Sequence, residues 1–345
     1  PAAATTILGD TQIQVIDQPV EPSAAPINAN TALQTGIRRG VVGLVLGLVL
    51  VALLSLTRRT VHSAEDLHRL ISLSCLSSIP AVRRGKRTRR EAPSLLLTHA
   101  GTGSDFSEAM RNLSLKLQRI TSKHGAKVVL ITSTVPGEGK TTVASNLALA
   151  LAAEGKRVIL IDGDLRKQSL KPLFGIGAHS DGLVEVLSGK AKNFRLLPVP
   201  DSGLLLLSGD GTVAQPQRLL GSPRMGQILE LLRQKLDYIL IDTPPAGVLS
   251  DAAALAKYAD GAIYVVRQDM ANSVQIVNSV QSLSGAVPLY GCVLNCTQAG
   301  TTRSGYRYGY RYGYQYGYSS HYSHYNDSYP PIQQFFHTSF DINEL

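Results

Sequence analysis

VVLITSTVPGEGKTTVASNLALAL, residues 128–151, decides the fold. It opens with a nearly continuous apolar run of strand length, as expected of a strand buried on both faces. PGEGKTT, residues 136–142, follows, and an Ala/Leu-rich helical stretch comes directly after it. In a strand–turn–helix of this kind, consecutive backbone N–H groups converge on phosphate oxygens at the positive end of the helix dipole. Gly137 and Gly139 let main chain approach phosphate with no Cβ in the way. Lys140 is expected to reach the β- and γ-phosphates of ATP, and the Thr141 hydroxyl to ligate Mg²⁺. Pro136, Glu138 and Thr142 complete the expected nucleotide cradle. The general phosphate-loop pattern begins with Gly where this chain has Thr134.

Working outward, KVVLITS, RVILID, LLLLS, YILID, AIYVVR and LYGCVLN are six short apolar runs separated by helical stretches. Such strands alternating with helices predict an α/β fold, a P-loop NTPase with a mostly parallel sheet covered by helices on both faces. Two of the runs end in carboxylates: VILIDGDLRK brings Asp162, Asp164 and then Arg166, and YILIDTPP brings Asp242. Parallel strands open their C-termini on one edge, so these acids are expected beside the phosphates. Any one of them alone is commonly just a helix cap. Magnesium takes oxygen ligands and only one or two protein carboxylates. The expected metal set is therefore Thr141, Asp242 and Asp162. Asp164 is left for an incoming hydroxyl and Arg166 for phosphate charge, so Lys140, Asp162, Asp164 and Arg166 are the candidate catalytic residues.

Net charge is +9 over 345 residues, but its distribution carries more information. Residues 1–37 hold no Lys or Arg, whereas residues 57–90 carry nine against two acids. Between them GVVGLVLGLVLVALLSL, residues 40–56, has no charge and no polar positions at helical period, which predicts a transmembrane helix within 38–58. The basic flank is expected on the cytoplasmic side and the acidic segment outside the membrane. Gly43 and Gly47 form a small-xxx-small pair suited to helix packing. SAED, residues 63–66, reads as the start of a short amphipathic helix. RRGKRTRREAP, residues 83–93, is a solvated linker or a polybasic patch for anionic lipid headgroups. With no aromatic interleaving, it does not suggest nucleic-acid binding. Three cysteines make no disulfide framework, which suits a reducing compartment.

Ten of the 14 tyrosines fall in GYRYGYRYGYQYGYSSHYSHYNDSY, residues 305–329: Tyr306, Tyr308, Tyr310, Tyr312, Tyr314, Tyr316, Tyr318, Tyr322, Tyr325 and Tyr329. Regular glycine and the lack of an apolar face predict a disordered tail over 301–345. The final sixteen residues, PPIQQFFHTSFDINEL, follow no pattern that the rest of the chain explains.

PGEGKTT, ILIDGDLR and ILIDTPP together resemble the bacterial tyrosine kinases of capsular and exopolysaccharide biosynthesis, in their membrane-fused form. The resemblance implies five parts: 1–37, the end of a periplasmic chain-length domain; 38–58, the membrane helix; 59–105, a basic juxtamembrane linker; 106–300, a cytoplasmic kinase; and 301–345, the tyrosine tail. It implies a kinase at the bacterial inner membrane that autophosphorylates the tail between subunits of a homo-oligomer, using ATP and Mg²⁺. Polysaccharide polymerisation and export machinery, a tyrosine phosphatase and membrane lipid are the implied partners. Glu108 and Arg111 match the family's oligomerisation helix, with Ser114 in place of a further Arg. Two alternatives use the same fold: a ParA- or MinD-like ATPase switch, and an ATP-binding scaffold without kinase activity. The switch needs a lysine where Val135 stands, and an iron–sulfur carrier relative needs a closer pair than Cys292 and Cys296.

Overall fold

The computed structural model describes residues 29–57, 60–82, 96–97, 104–177, 182–211, 213–298 and 339–341. The chain divides into two units, Pro1–Arg58 and Arg59–Leu345. The first holds helix α1 (Ala29–Thr57). Its segment Gln34–Leu53 is the one helix among the described residues long and apolar enough to cross a membrane. At 1.5 Å per residue these 20 residues span about 30 Å. The side chains described there are exposed around the whole circumference, which a core helix would not tolerate. The helix starts earlier than the span expected at 38–58. Residues 29–37, expected to end a periplasmic domain, are part of it, with Ala29, Ala32, Leu33 and Gln34 as good helix formers.

In the second unit, α2 (Ala64–Ile71) begins at Ser63, whose hydroxyl accepts the Asp66 N–H at 3.1 Å. It leads to β1 (Cys75–Pro80). The chain continues through α3 (Ser104–His124), β2 (Val128–Ser133), α4 (Lys140–Ala153), β3 (Val158–Asp162), α5 (Leu170–Leu173) and α6 (Leu183–Leu187). Then come β4 (Asn193–Arg195), β5 (Leu197–Pro198), β6 (Leu204–Leu207), α7 (Pro216–Leu220), α8 (Pro223–Lys235), β7 (Tyr238–Asp242) and α9 (Asp251–Ala256). The last elements are β8 (Gly261–Arg267), α10 (Ser273–Ser284), β9 (Leu289–Thr297) and β10 (Ser339–Asp341).

Eight strands form one sheet in the order β1-β9-β8-β2-β7-β3-β6-β5, parallel throughout except for β5. Alternation within the strands feeds two cores. Val128, Leu130, Ile159, Ile161, Ile239 and Ile241 pack on one face. Val129, Ile131, Val158, Leu160 and Leu240 pack on the other, against α3 and α4. With both faces apolar, the strands read as continuous hydrophobic runs. Helix α4 is buried from Val143 to Ala152, which explains why its sequence is apolar all round.

The six expected strands are present, and the sheet has more. Cys75–Pro80 lies in the stretch expected to be a linker, yet it pairs parallel with β9 as the edge strand. Its sequence CLSSIP lacks an apolar run because an edge strand is only half covered, and its terminal Pro80 is tolerated there. The globular unit therefore begins well before residue 106. Within 301–345, expected to be structureless, Ser339–Asp341 pairs antiparallel with β4. A three-residue strand is too short to show periodicity. Residues 1–28, the whole basic run 83–93, and the tyrosine cluster 305–329 lie outside the described residues.

Candidate active site

The site stands on the C-terminal edge of the sheet, where β2 runs into α4 between β8 and β7. Register explains its acids: Asp162 of β3 and Asp242 of β7 are direct cross-strand partners, and Ile131 of β2 pairs with Asp242 on the other side. Two remote stretches ending in ILID are thereby brought side by side, next to the loop 134–139.

The loop itself is held from within. Gly137 and Gly139 have φ of +89° and +91°, in the left-handed region that side-chain-bearing residues rarely adopt. The Glu138 carboxylate turns inward, fully buried, and accepts N–H bonds from Thr134 at 2.6 Å, Val135 at 2.8 Å and Arg267 at 3.3 Å. Burial pushes its pKa up to about 7 despite these bonds. Asn295 Nδ2 donates to the Glu138 carbonyl at 2.8 Å and sits where a Cβ on Gly139 would fall. Arg267 donates to the Gly137 carbonyl at 3.3 Å. At the start of α4 the first N–H groups have no intrahelical acceptor and face the loop end.

Lys140, from the first turn of α4, lies 3.0 Å from Asp164 Oδ2 and 3.5 Å from Asp242 Oδ1. Thr141 donates its hydroxyl to Asp242 Oδ2 at 2.7 Å. Burial lowers the Lys140 pKa, but the charges of Asp242 and then Asp164 outweigh it and raise the pKa overall. Burial raises Asp242 to about 6 although Lys140 and Thr141 oppose it. Asp162 is raised well above the usual carboxylate range by burial and by the neighbouring Asp242. Asp162 accepts the Leu170 N–H at 3.3 Å through one oxygen.

The other oxygen of Asp162, and Oδ1 of Asp242, are buried with no hydrogen-bond partner. Asp242 Oδ1 has only the Lys140 ammonium at 3.5 Å for company, and these two carboxylate oxygens beside a threonine hydroxyl form a hard-oxygen donor set of the kind Mg²⁺ takes. Among the described residues no three His, Cys, Asp or Glu side chains form a metal cage, so an ion here would depend on phosphate and water for its remaining ligands.

The structure thus brings together Lys140, Thr141, Asp162, Asp164 and Asp242. Pro136 is exposed at the loop, and the Thr142 carbonyl accepts from Asn146. Arg166 is engaged elsewhere: its Nε donates to Asp251 Oδ2 at 2.9 Å, and Nη2 reaches Gln217 at 3.4 Å. Asp251 is 1% exposed. Asp251, Asn295 and the inward role of Glu138 are absent from the sequence reading. SDAAAL, residues 250–255, offered one signal, an acid at the start of a helix. Asn295 ends an apolar run and offers none.

Comparison with known proteins follows the same lines. A family model described as ParA, NUBPL iron-transfer P-loop NTPase, matches residues 125–306. Tyrosine-protein kinase CpsD of Streptococcus pneumoniae is 35% identical over 52% of this chain and 80% of CpsD. Tyrosine-protein kinase wzc of Salmonella typhimurium is 31% identical over 74% of this chain, which spans 37% of that longer protein. The kinase domain of Escherichia coli tyrosine kinase ETK superposes with a TM-score of 0.59 at 27% identity, covering 72% of this chain and 96% of that domain.

Proposed function

The chain belongs to the bacterial tyrosine kinases, built on a ParA-type P-loop domain, and from that premise we propose that it is an ATP-dependent tyrosine autokinase. The acceptors are tyrosines of the Tyr306–Tyr329 cluster on a neighbouring copy. One observation carries this reading: Lys140, Thr141, Asp162, Asp164 and Asp242 meet on one sheet edge, with one oxygen each of Asp162 and Asp242 buried and free of hydrogen bonds.

Phosphoryl transfer asks for position and charge compensation more than for covalent help. Loop amides at the start of α4 and Lys140 hold the phosphates of ATP. Thr141 and Asp242, with Asp162, hold Mg²⁺, which when bound offsets the negative charge of the phosphate oxygens. Asp164, beside Lys140, accepts the proton of the incoming phenol, whose pKa of about 10 leaves it protonated near neutral pH. The tyrosine oxygen gains the phosphoryl group and ADP departs. Arg166, expected to meet phosphate charge, is instead bound to Asp251 and Gln217 and takes no part in this step.

Each phosphate adds about −1.5 to −2 charges, enough in number to reverse a tail beginning with Arg303, Arg307 and Arg311. The resulting repulsion loosens contacts between neighbouring copies, so phosphorylation cycles assembly and sets the polymerisation and export of an extracellular polysaccharide. A tyrosine phosphatase resets the tail. Helix α1 crosses the bacterial inner membrane, with the basic flank and the kinase in the cytoplasm.

The test is incubation of the detergent-extracted chain with Mg-ATP and mass mapping of its peptides. Phosphate on Tyr306–Tyr329, absent in Lys140→Met, is the expected result. ATP turnover with no tail label selects the ATPase-switch reading, which the ParA-type model favours and Val135 opposes.

A further inference from the structure

PPIQQFFHTSFDINEL, residues 330–345, is the stretch that neither the nucleotide site nor the tyrosine cluster uses. Three of its residues make β10, which lies antiparallel against β4 with Ser339 opposite Arg195, Phe340 opposite Phe194 and Asp341 opposite Asn193. These two strands form a sheet of their own, apart from the eight-stranded one. Phe194 is sunk into the core, while Asn193 and Arg195 are exposed. Strand β4 is therefore seated on the domain by its middle residue and offers a backbone edge. An open edge of this kind is a template for an extended segment, because main-chain N–H and C=O groups need partners.

Topology gives the position of this edge. Strand β5 runs antiparallel to β6, with Leu197 beside Leu206, so the chain enters β5 from the C-terminal side of the parallel strands. Strand β4 immediately precedes it, on the same side as Lys140, Asp162 and Asp242. The chain leaves the sheet at the end of β9, which is second in the strand order, whereas β5 is eighth. At about 4.8 Å per strand, β9 and β5, the strand that β4 leads into, lie roughly 29 Å apart on either side of the site.

We propose that β4 is a strand-addition site for the C-terminal segment of its own chain. Ser339–Asp341 is an anchor that ties residues 299–338, tyrosines included, to the domain at both ends. The occupant is an extended peptide recognised through its main chain, and the inference holds whether or not the site transfers phosphate.

Hydrogen–deuterium exchange on the full chain in detergent tests this at Asn193–Arg195. Phe340→Pro removes a backbone donor and fixes φ, so exchange there should quicken at least tenfold while α4 is unchanged. A chain ending at Thr338 should behave the same way. A synthetic peptide of residues 335–345 should restore protection to that shortened chain, and the same peptide carrying Phe340→Pro should not. Unchanged exchange at β4 in both variants overturns the anchor. Protection in the unmodified chain that fades on dilution also overturns it, since the strand would then come from a second copy.

Discussion

Thr141 Oγ1 donates to Asp242 Oδ2 across 2.7 Å, although 101 positions separate the two residues in the chain. The bond closes the gap between the loop after β2 and the end of β7, and it fixes the hydroxyl expected to face a metal. Asp242→Asn keeps the shape and removes a fully buried charge whose pKa burial raises to about 6. Mg²⁺-dependent nucleotide affinity should drop at least tenfold, about 1.4 kcal/mol. Thermal stability should hold or rise, because one desolvated carboxylate is gone. Calorimetric titration with and without Mg²⁺ measures the affinity and a melting curve the stability, and an unchanged Mg²⁺ dependence would remove Asp242 from the metal set.

Lys140 and Asp164 form a mostly buried pair at 3.0 Å. Lys140→Met leaves the neighbouring acids without their cation and should destabilise the chain by about 3 kcal/mol at pH 8. The penalty should shrink near pH 5, where Asp242 can take a proton. Adding Asp164→Asn should recover part of the loss, so the two effects do not add. Denaturant unfolding of the four chains provides the cycle, and strict additivity would show that the pair is uncoupled.

Glu138 gives stability a pH signature. Its pKa is about 7 in the folded chain against 4.5 for an ordinary Glu, so the folded state binds the extra proton. Its contribution is fully present below pH 4.5, is lost as pH rises to about 7, and is flat beyond that. The fall amounts to about 3 kcal/mol at most, with Asp242 adding to it only up to about pH 6. In Glu138→Gln the slope between pH 6 and 7 should become shallower, Asp162 still contributing because burial raises its pKa too. Urea midpoints taken at half-unit steps decide it, and identical slopes in both chains would refute the assignment.

Asp251 and Arg166 make a pair with one buried and one half-exposed member. Arg166→Ala strands a buried carboxylate whose other oxygen already lacks a partner, and should destabilise by about 2 kcal/mol after allowing for solvent at the guanidinium. Arg166→Ala with Asp251→Ala together should cost less than Arg166→Ala alone. Melting curves for the three variants would show this, and a double variant less stable than either single one would count against it.

The fold was legible because a doubly covered parallel sheet needs strands that are apolar on both faces, and VVLITS, VILID and YILID have no other use. The acids were legible because they close those same runs. Strand β1 was hidden for the opposite reason: an edge strand is half polar, and CLSSIP reads like a turn. Asn295, Asp251 and the inward carboxylate of Glu138 act through distances that only the folded chain creates, each bonding to a segment more than 80 residues away.

The ammonium of Lys140 is never bare. With Asp164 and Asp242 at its sides and Asp162 close behind, an arriving polyphosphate substitutes one anionic escort for another. Occupancy then changes the electrical balance of the pocket far less than it would in an open cationic cleft. Ligand entry becomes a trade of neighbours, and added electrolyte should weaken it only gently.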